Sequence, residues 1–366
     1  MSTNGHRPWV LVSDGGIGQS RSTLATVRAL ASAGYSPVVT TSGSHSVAAA
    51  SRFCVDTVDT PLVSDAGYAD AIRAELARRP YLTLLGASDA TLLAMGVDVI
   101  HLVDKSMVAS KAEACGLSVA PGRDFESIEV LQANLGSLDF PVVVKPAHPG
   151  QTVRRLLSEK DISLVEQTQG PLVVQPYITE QMKAVGGVIH DGRLIAAVHQ
   201  RYLRTWPPDC GGACAAVTTA PDLELEERLI ALLDGFDGVF QVQFAGRYLL
   251  DVNPRVYGSL PLAVKAGANL PGIYCDVLRN LGPKETVRAR PGVLFRWLEG
   301  EVRNLFLGMR RRELTPKDAF GFLKARSGTA HGPESLRDPK PMLTRLVYAA
   351  KTGRRGKNDN RPLTGS

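Results

Sequence analysis

The densest chemistry in the sequence lies in Gln241–Gly258, QVQFAGRYLLDVNPRVYG. Two largely apolar runs, Val239–Phe244 and Tyr248–Val252, flank Ala245-Gly246-Arg247, which is the pattern of a hairpin. Gln243 falls on its first strand and Asp251 on its second. Asn253 follows Asp251 by two residues, so in an extended strand both side chains face the same way. Three oxygen-bearing side chains then converge on one sheet face. Hard oxygen ligands of this kind suit Mg²⁺, which is commonly shared with substrate phosphates. The three carry one formal negative charge between them, so metal affinity without nucleotide is expected to be weak. Arg255 continues the alternation on the same side. Pro254 has no N–H to give a ladder, so the strand must end there or lie at an edge. The alternative is a hairpin whose polar face is simply solvated.

The full string resembles the metal-binding hairpin of the ATP-grasp superfamily, whose members read roughly "VQF/VEF … E-x-N-P-R". The resemblance implies an α/β ATP-grasp fold with ATP and Mg²⁺ as cofactors, Mn²⁺ being the alternative ion. It gives Gln243, Asp251 and Asn253 to the metal. It also calls for two lysines on nucleotide phosphates. Lys105 opens a helix that ends in AEACGLSVAP, similar to the family's "DK … A … G-(x)-P" stretch. Lys145 closes the strand FPVVVKP, similar to its "P-x-(V/I)-(V/I)-K-P". Leu172–Ile178, LVVQPYI, resembles the hinge strand that carries adenine. There Gln175 sits beside the ring, Pro176 offers its carbonyl, and Ile178 supplies an N–H. Glu180 falls where the family often places a carboxylate on ribose hydroxyls; a solvated loop acid is its other reading.

Some features depart from that pattern. His148-Pro149-Gly150-Gln151-Thr152 has one glycine where many such proteins carry a glycine-rich phosphate loop. His148, Gln151 or Thr152 then become candidates for phosphate contact, unless the loop is simply less mobile. Asp251 stands where glutamate is usual and is one carbon shorter. Gln243 in place of glutamate has a parallel in carbamoyl-phosphate synthetase.

His199–Ala213, HQRYLRTWPPDCGGA, looks like the "R-x-L-R-x-x-P-x-x-G-G" stretch of a bacterial group described as predicted ATP-grasp carboxylate–amine ligases. The resemblance makes Arg201 and Arg204, with Arg255, candidates for gripping a carboxylate or acyl phosphate, a task suited to the planar guanidinium fork. A solvated loop is the competing reading for Arg201 and Arg204. The implied reaction is activation of a carboxylate as an acyl phosphate, then coupling to an amine with release of ADP and phosphate. The alternatives are activation of a small acid such as bicarbonate or carbamate, and nucleotide binding without turnover.

Other signals are weaker. Cys210 and Cys214 have no second Cys/His pair at zinc spacing, so structural or incidental use is expected. Asp14-Gly15-Gly16-Ile17-Gly18 follows a strand and precedes a helix, yet lacks the dinucleotide order G-x-G-x-x-G. In ATP-grasp proteins such a turn can face the substrate. No nucleophile elbow or Walker lysine loop is present.

These residues need a scaffold, and the remaining sequence supplies its outline. Pro8–Ser13, Pro37–Thr41 and Leu82–Leu85 read as strands alternating with helices at Ser22–Ala33 and Ala66–Arg78, the pattern of a parallel sheet. Further on, a helix runs from about Asp104 to Gly116. Val142–Lys145, Val153–Leu157, Leu172–Gln175 and Val185–His190 read as strands. Asp191-Gly192 then turns into Leu194–Val198, a hairpin signal. Leu223–Leu233 is a helix by periodicity. The division expected is residues 1–100 as an N-terminal α/β unit and 101–295 as the ATP-grasp unit, with a lid at about 118–178. A basic helical extension (296–351) and a disordered tail (352–366) follow. Arg296–Arg312 puts Trp297, Leu298, Val302, Leu305, Phe306 and Met309 on one stripe, expected to pack on the body.

Charge agrees with this division. The net +6 is uneven: Arg296–Ser366 holds 16 Lys/Arg against 7 Asp/Glu, and the first 295 residues hold 26 against 29. A nucleic-acid-binding body is therefore not expected. The basic end could meet an acidic partner or an anionic membrane surface. The substrates expected are small-molecule carboxylates and amines, and a homodimer is compatible with everything above. The apolar run Trp9–Val12 is too short for a signal-peptide core and no segment is a membrane span, so a cytoplasmic location is expected. Five cysteines, an odd number, fit reduced thiols.

Overall fold

The computed structural model describes residues 7–43, 46–147, 153–208, 211–310, 315 and 328–355. The chain opens with β1 (Trp9–Ser13), α1 (Arg21–Ser32), β2 (Ser36–Thr41), β3 (Asp56–Asp59), α2 (Tyr68–Arg78), β4 (Tyr81–Gly86) and α3 (Asp89–Ala94). The strands form a parallel sheet in the order β3-β2-β1-β4. Val10, Leu11 and Val12 are wholly buried, as suits a central strand covered on both faces. Ser20 caps α1 by accepting from the Thr23 N–H at 3.2 Å. Gly34, at φ 88°, lets the chain leave that helix.

After α4 (Ile100–Val103) and α5 (Lys105–Ala114), β5 (Ser118–Val119) joins a large central sheet. The region expected to form the lid then folds as its own antiparallel sheet. It contains β6 (Arg123–Phe125), α6 (Ile128–Ala133), β7 (Val142–Pro146), β8 (Arg154–Leu156) and β9 (Leu172–Pro176), with strand order β6-β9-β7-β8. Phe125, Ile128, Leu131, Val142, Leu156 and Val174 give it a core of its own.

The central sheet continues with β10 (Met182–His190), β11 (Arg193–Trp206) and β12 (Gly212–Thr218). Then come α7 (Leu223–Leu232), β13 (Gly238–Ala245), β14 (Tyr248–Asn253), α8 (Leu260–Lys265), α9 (Leu270–Leu278), β15 (Val287–Arg288), β16 (Leu294–Arg296), α10 (Leu298–Arg310), β17 (Ala330–His331) and α11 (Lys340–Arg355). Its order is β17-β16-β12-β11-β10-β13-β14-β5, with β15 beside β11. Asp191 and Gly192 both adopt positive φ, as the Asp-Gly hairpin signal requires. One face packs on α5 and α7, the other on α8 and α9.

Three expectations are corrected. The stretch from His199 to Trp206 is not a loop: β11 runs on to Trp206, paired with β10 and β12. Polar residues in that stretch disguised a strand that its neighbours impose. The stripe on α10 does not pack. Trp297 is buried, but Leu298, Val302, Phe306 and Met309 are exposed, and the helix turns Gly300, Glu301 and Gly308 inward. Gly300 decides this orientation, because a Cβ there would stand 2.4 Å from the Trp297 ring and 2.8 Å from Cys214 Cβ. Finally, the expected tail begins inside α11, which reaches Arg355; residues 356–366 lie outside the described residues.

The extension is tied to the N-terminal unit. Asp338 is buried and takes hydrogen bonds from Arg28 Nε (2.9 Å), Ser51 Oγ (2.6 Å) and the Arg52 N–H (3.0 Å). Its own basic side chains are spent locally as well: Arg296 pairs with Glu301 at 2.6 Å, and Arg303 and Arg345 pair with Glu299. Among the described residues no helix is long and apolar enough to cross a membrane.

Candidate active site

β13 and β14 put Gln243 directly opposite Asp251, and Gln241 opposite Asn253. β14 ends at Asn253, as Pro254 requires. Asn253 Nδ2 donates to Asp251 Oδ2 at 3.1 Å, and Gln243 Nε2 donates to Gln241 Oε1 at 3.2 Å. The three oxygen-bearing side chains are thus neighbours on one face. They fit a hard divalent ion that completes its shell with phosphate oxygens and water.

Both expected lysines arrive at this hairpin from different sheets. Asp104 accepts from the Met107 N–H at 3.2 Å and caps α5, which fixes the helix that carries Lys105. Lys105 Nζ is ion-paired with Asp251 Oδ1. Lys145, buried on β7, reaches across and donates to the Leu250 carbonyl at 3.1 Å. Burial first, and then the charge of Lys105, lower its pKa to about 8, against the pull of Asp251. Burial alone would raise the Asp251 carboxyl. Lys105, Lys145 and Arg255 outweigh that and hold it below the usual aspartate range. Two cations around one carboxylate leave a local positive excess, a setting for polyphosphate.

The hinge strand forms a wall beside this cluster. Gln175 is buried, its Nε2 donates to the Ala120 carbonyl at 3.1 Å, and its Oε1 is buried with no partner. Gly122 makes room for it, since a Cβ there would sit 3.3 Å from Gln175 Cγ. Pro176 ends β9, the Tyr177 N–H is taken by the Pro141 carbonyl at 2.9 Å, and Ile178 is half-buried beyond it. Glu180 is exposed and lies against the β13–β14 turn, where a Cβ on Gly246 would overlap its carboxylate.

The arginines separate. Arg255 Nε bonds Asp89 Oδ1 at 2.7 Å, which joins the hairpin to the first residue of α3. Arg204 is paired with Glu301, which also holds Arg296; the register shifts around it in β11 turn it that way. Arg201 is exposed on β11. His199 is not near a thiol: it bonds Glu226 at 3.0 Å, which also holds Arg288. Cys214 is buried among apolar residues, and Cys210 lies outside the described residues, as do His148, Gln151 and Thr152. The glycine turn is filled by its own unit: a Cβ on Gly16 would meet Ser42 Oγ at 2.4 Å and Leu62 at 2.6 Å. What the sequence did not signal is the residue this turn delivers, Arg21, buried against Trp297.

Residues 168–301, from the hinge through the metal hairpin to α10, match the family described as ATP-grasp in the biosynthetic pathway with Ter operon. The chain is an ATP-grasp protein. Solved structures agree in fold. N5-carboxyaminoimidazole synthetase from Staphylococcus aureus, complexed with ADP, superposes with a TM-score of 0.60 at 13% identity, covering 96% of this chain and 100% of that one. L-amino acid ligase from Bacillus licheniformis gives 0.55 at 14% identity, over 76% and 75% of the two chains. The biotin carboxylase domain of Hydrogenobacter thermophilus 2-oxoglutarate carboxylase, with MgADP and bicarbonate, gives 0.58 at 13% identity, over 79% and 74%. No curated protein matches the chain.

Proposed function

We propose that this ATP-grasp chain is an ATP- and Mg²⁺-dependent carboxylate–amine ligase. The observation that carries this reading is the meeting of Lys105 and Lys145, from two separate sheets, at the Gln243–Asp251–Asn253 face. ATP's adenine lies along the hinge, with the amino group near the free Gln175 Oε1 and the Pro176 carbonyl and with the Ile178 N–H on a ring nitrogen. Glu180 is placed for ribose. The two lysines hold phosphates, and Lys105 exchanges its carboxylate partner for them as the metal takes Asp251. Mg²⁺ (or Mn²⁺), when bound, neutralises phosphate charge and orients the transferred group. Arg255, at the strand end, faces the acyl phosphate once Asp89 releases it. Arg204 is fully engaged with Glu301, so Arg255 is the better-supported catalytic cation of the three.

A second reading, bicarbonate as the acid, is favoured by the similarity to a carboxylase domain that holds MgADP and bicarbonate. The deciding experiment is ADP release by the full chain with Mg-ATP across a panel of amino-acid pairs, and separately with bicarbonate. Asp251→Ala with Asn253→Ala is expected to weaken Mg-ADP binding about tenfold and to cut turnover about a hundredfold. Unchanged binding and turnover in that variant would remove the site assignment. Nucleotide binding with no ADP release from any acid would leave a binding protein and defeat the ligase reading.

A further inference from the structure

Arg21 is the first residue of α1 and only 5% exposed. Its guanidinium lies 3.6 Å over the Trp297 ring. Nε and Nη1 are buried and bond to nothing, and the Trp297 indole Nε1 is likewise buried without a partner. Nearby acids do not answer them. Glu299 is held by Arg303 and Arg345, and Glu334 Oε1 takes the Glu299 N–H at 3.3 Å. Burial, and next the charge of Arg345, lower the Arg21 pKa to about 10, so it remains a cation at neutral pH.

The surroundings are shaped to keep this cation reachable. A Cβ on Gly258 would stand 3.2 Å from Nη2, and one on Gly212 would stand 3.5 Å from it. Two bare backbones therefore border the open end of the fork. Gly258 follows Arg255 by three residues, which is about 10 Å of chain at most. A buried unpaired cation is costly, and proteins that retain one normally supply a counter-charge. Stacking fixes the plane of the fork and leaves its N–H edges free for the two oxygens of a carboxylate or phosphate.

We infer that Arg21 and Trp297 form a receptor for a second oxyanion on the acid substrate, a carboxylate or phosphate distant from the reacting carboxylate. The inference rests on the ligase reading above and narrows it to dicarboxylic or phosphorylated acids.

The test uses the full chain with Mg-ADP present and two probes, inorganic phosphate and succinate, in calorimetric titrations. One probe is expected to bind the wild type in the millimolar range, and Arg21→Met to weaken it about tenfold or more while Mg-ADP affinity is unchanged. Binding of phosphate assigns a phosphorylated acid; binding of succinate assigns a dicarboxylic one. Without ligand, Arg21→Met is expected to melt at or above the wild-type temperature, because it removes an unpaired buried charge. A purely structural arginine would give the opposite shift. Arg21→Lys keeps the charge and loses the fork, and is expected to bind about threefold weaker or worse. The inference is overturned if neither probe binds the wild type at about 50 mM. It is also overturned if Arg21→Met, or Arg21→Lys should the first not fold, binds as the wild type does. Failure of the wild type to bind Mg-ADP is a separate result: it ends the nucleotide reading, while phosphate alone still tests the receptor.

Discussion

Lys145 is the side chain whose chemistry is most altered by its place. Buried and beside Lys105, it titrates at about 8 in the ligand-free chain. An unfolded lysine titrates near ~10.4, so the folded state is penalised at every pH below about 8, and that penalty fades as pH rises from about 8 to 10. A bound phosphate reverses the local charge and raises the lysine again. Mg-ADP binding is therefore expected to take up as much as one proton between about pH 8 and 10, and affinity to fall up to about tenfold per pH unit there. Calorimetry in buffers of different ionisation enthalpy checks this, and Lys145→Met should abolish the uptake. At this scale the sequence was informative wherever a residue sat inside a continuous string. Gln243, Asp251 and Asn253 are close in sequence and alternate in register, so their shared face follows from strand geometry alone. The pairings of Arg204 with Glu301 and of Arg21 with Trp297 join residues far apart in the chain, and no local pattern announces them.

Elements were legible where their own residues decided them. The Asp191-Gly192 turn, α1 and the β13–β14 hairpin follow from turn chemistry and periodicity. The second half of β11 was not legible, because its strand state comes from ladders on both sides. Nor was the outward stripe of α10, since the space left by Gly300 counts for more there than apolar content. The loop before α11 is also set by distant partners. Burial alone would raise the Asp338 carboxyl; Ser51, the Arg52 N–H and Arg28 outweigh this and hold it below the usual range. Its stabilisation is thus complete above about pH 4 and is lost as pH falls through its lowered value. Asp338→Ala is expected to cost about 3–5 kcal/mol in chemical denaturation at neutral pH, because it strands buried Arg28. Asp338→Asn should flatten the acid limb of the same curve.

At the scale of the whole molecule, the extension fastens the N-terminal unit while leaving an apolar ridge in water. Phe306 is 76% exposed, so Phe306→Ser is expected to change the melting temperature by no more than about 2 °C. A larger fall would mean that the ridge is covered in solution. The sheet carrying Lys145 is joined to the body differently. The chain enters it from β5 and leaves it into β10, which are separated in the central sheet by β14 and β13. Three strand spacings put those two attachments roughly 14 Å apart. A flap held at two separated points behaves like a door on two hinges: it swings about the line between them and resists swivelling. Lys145 rides on that door, whereas Lys105 stays on the frame, so opening parts one lysine from the Asp251 hairpin and leaves the other in place.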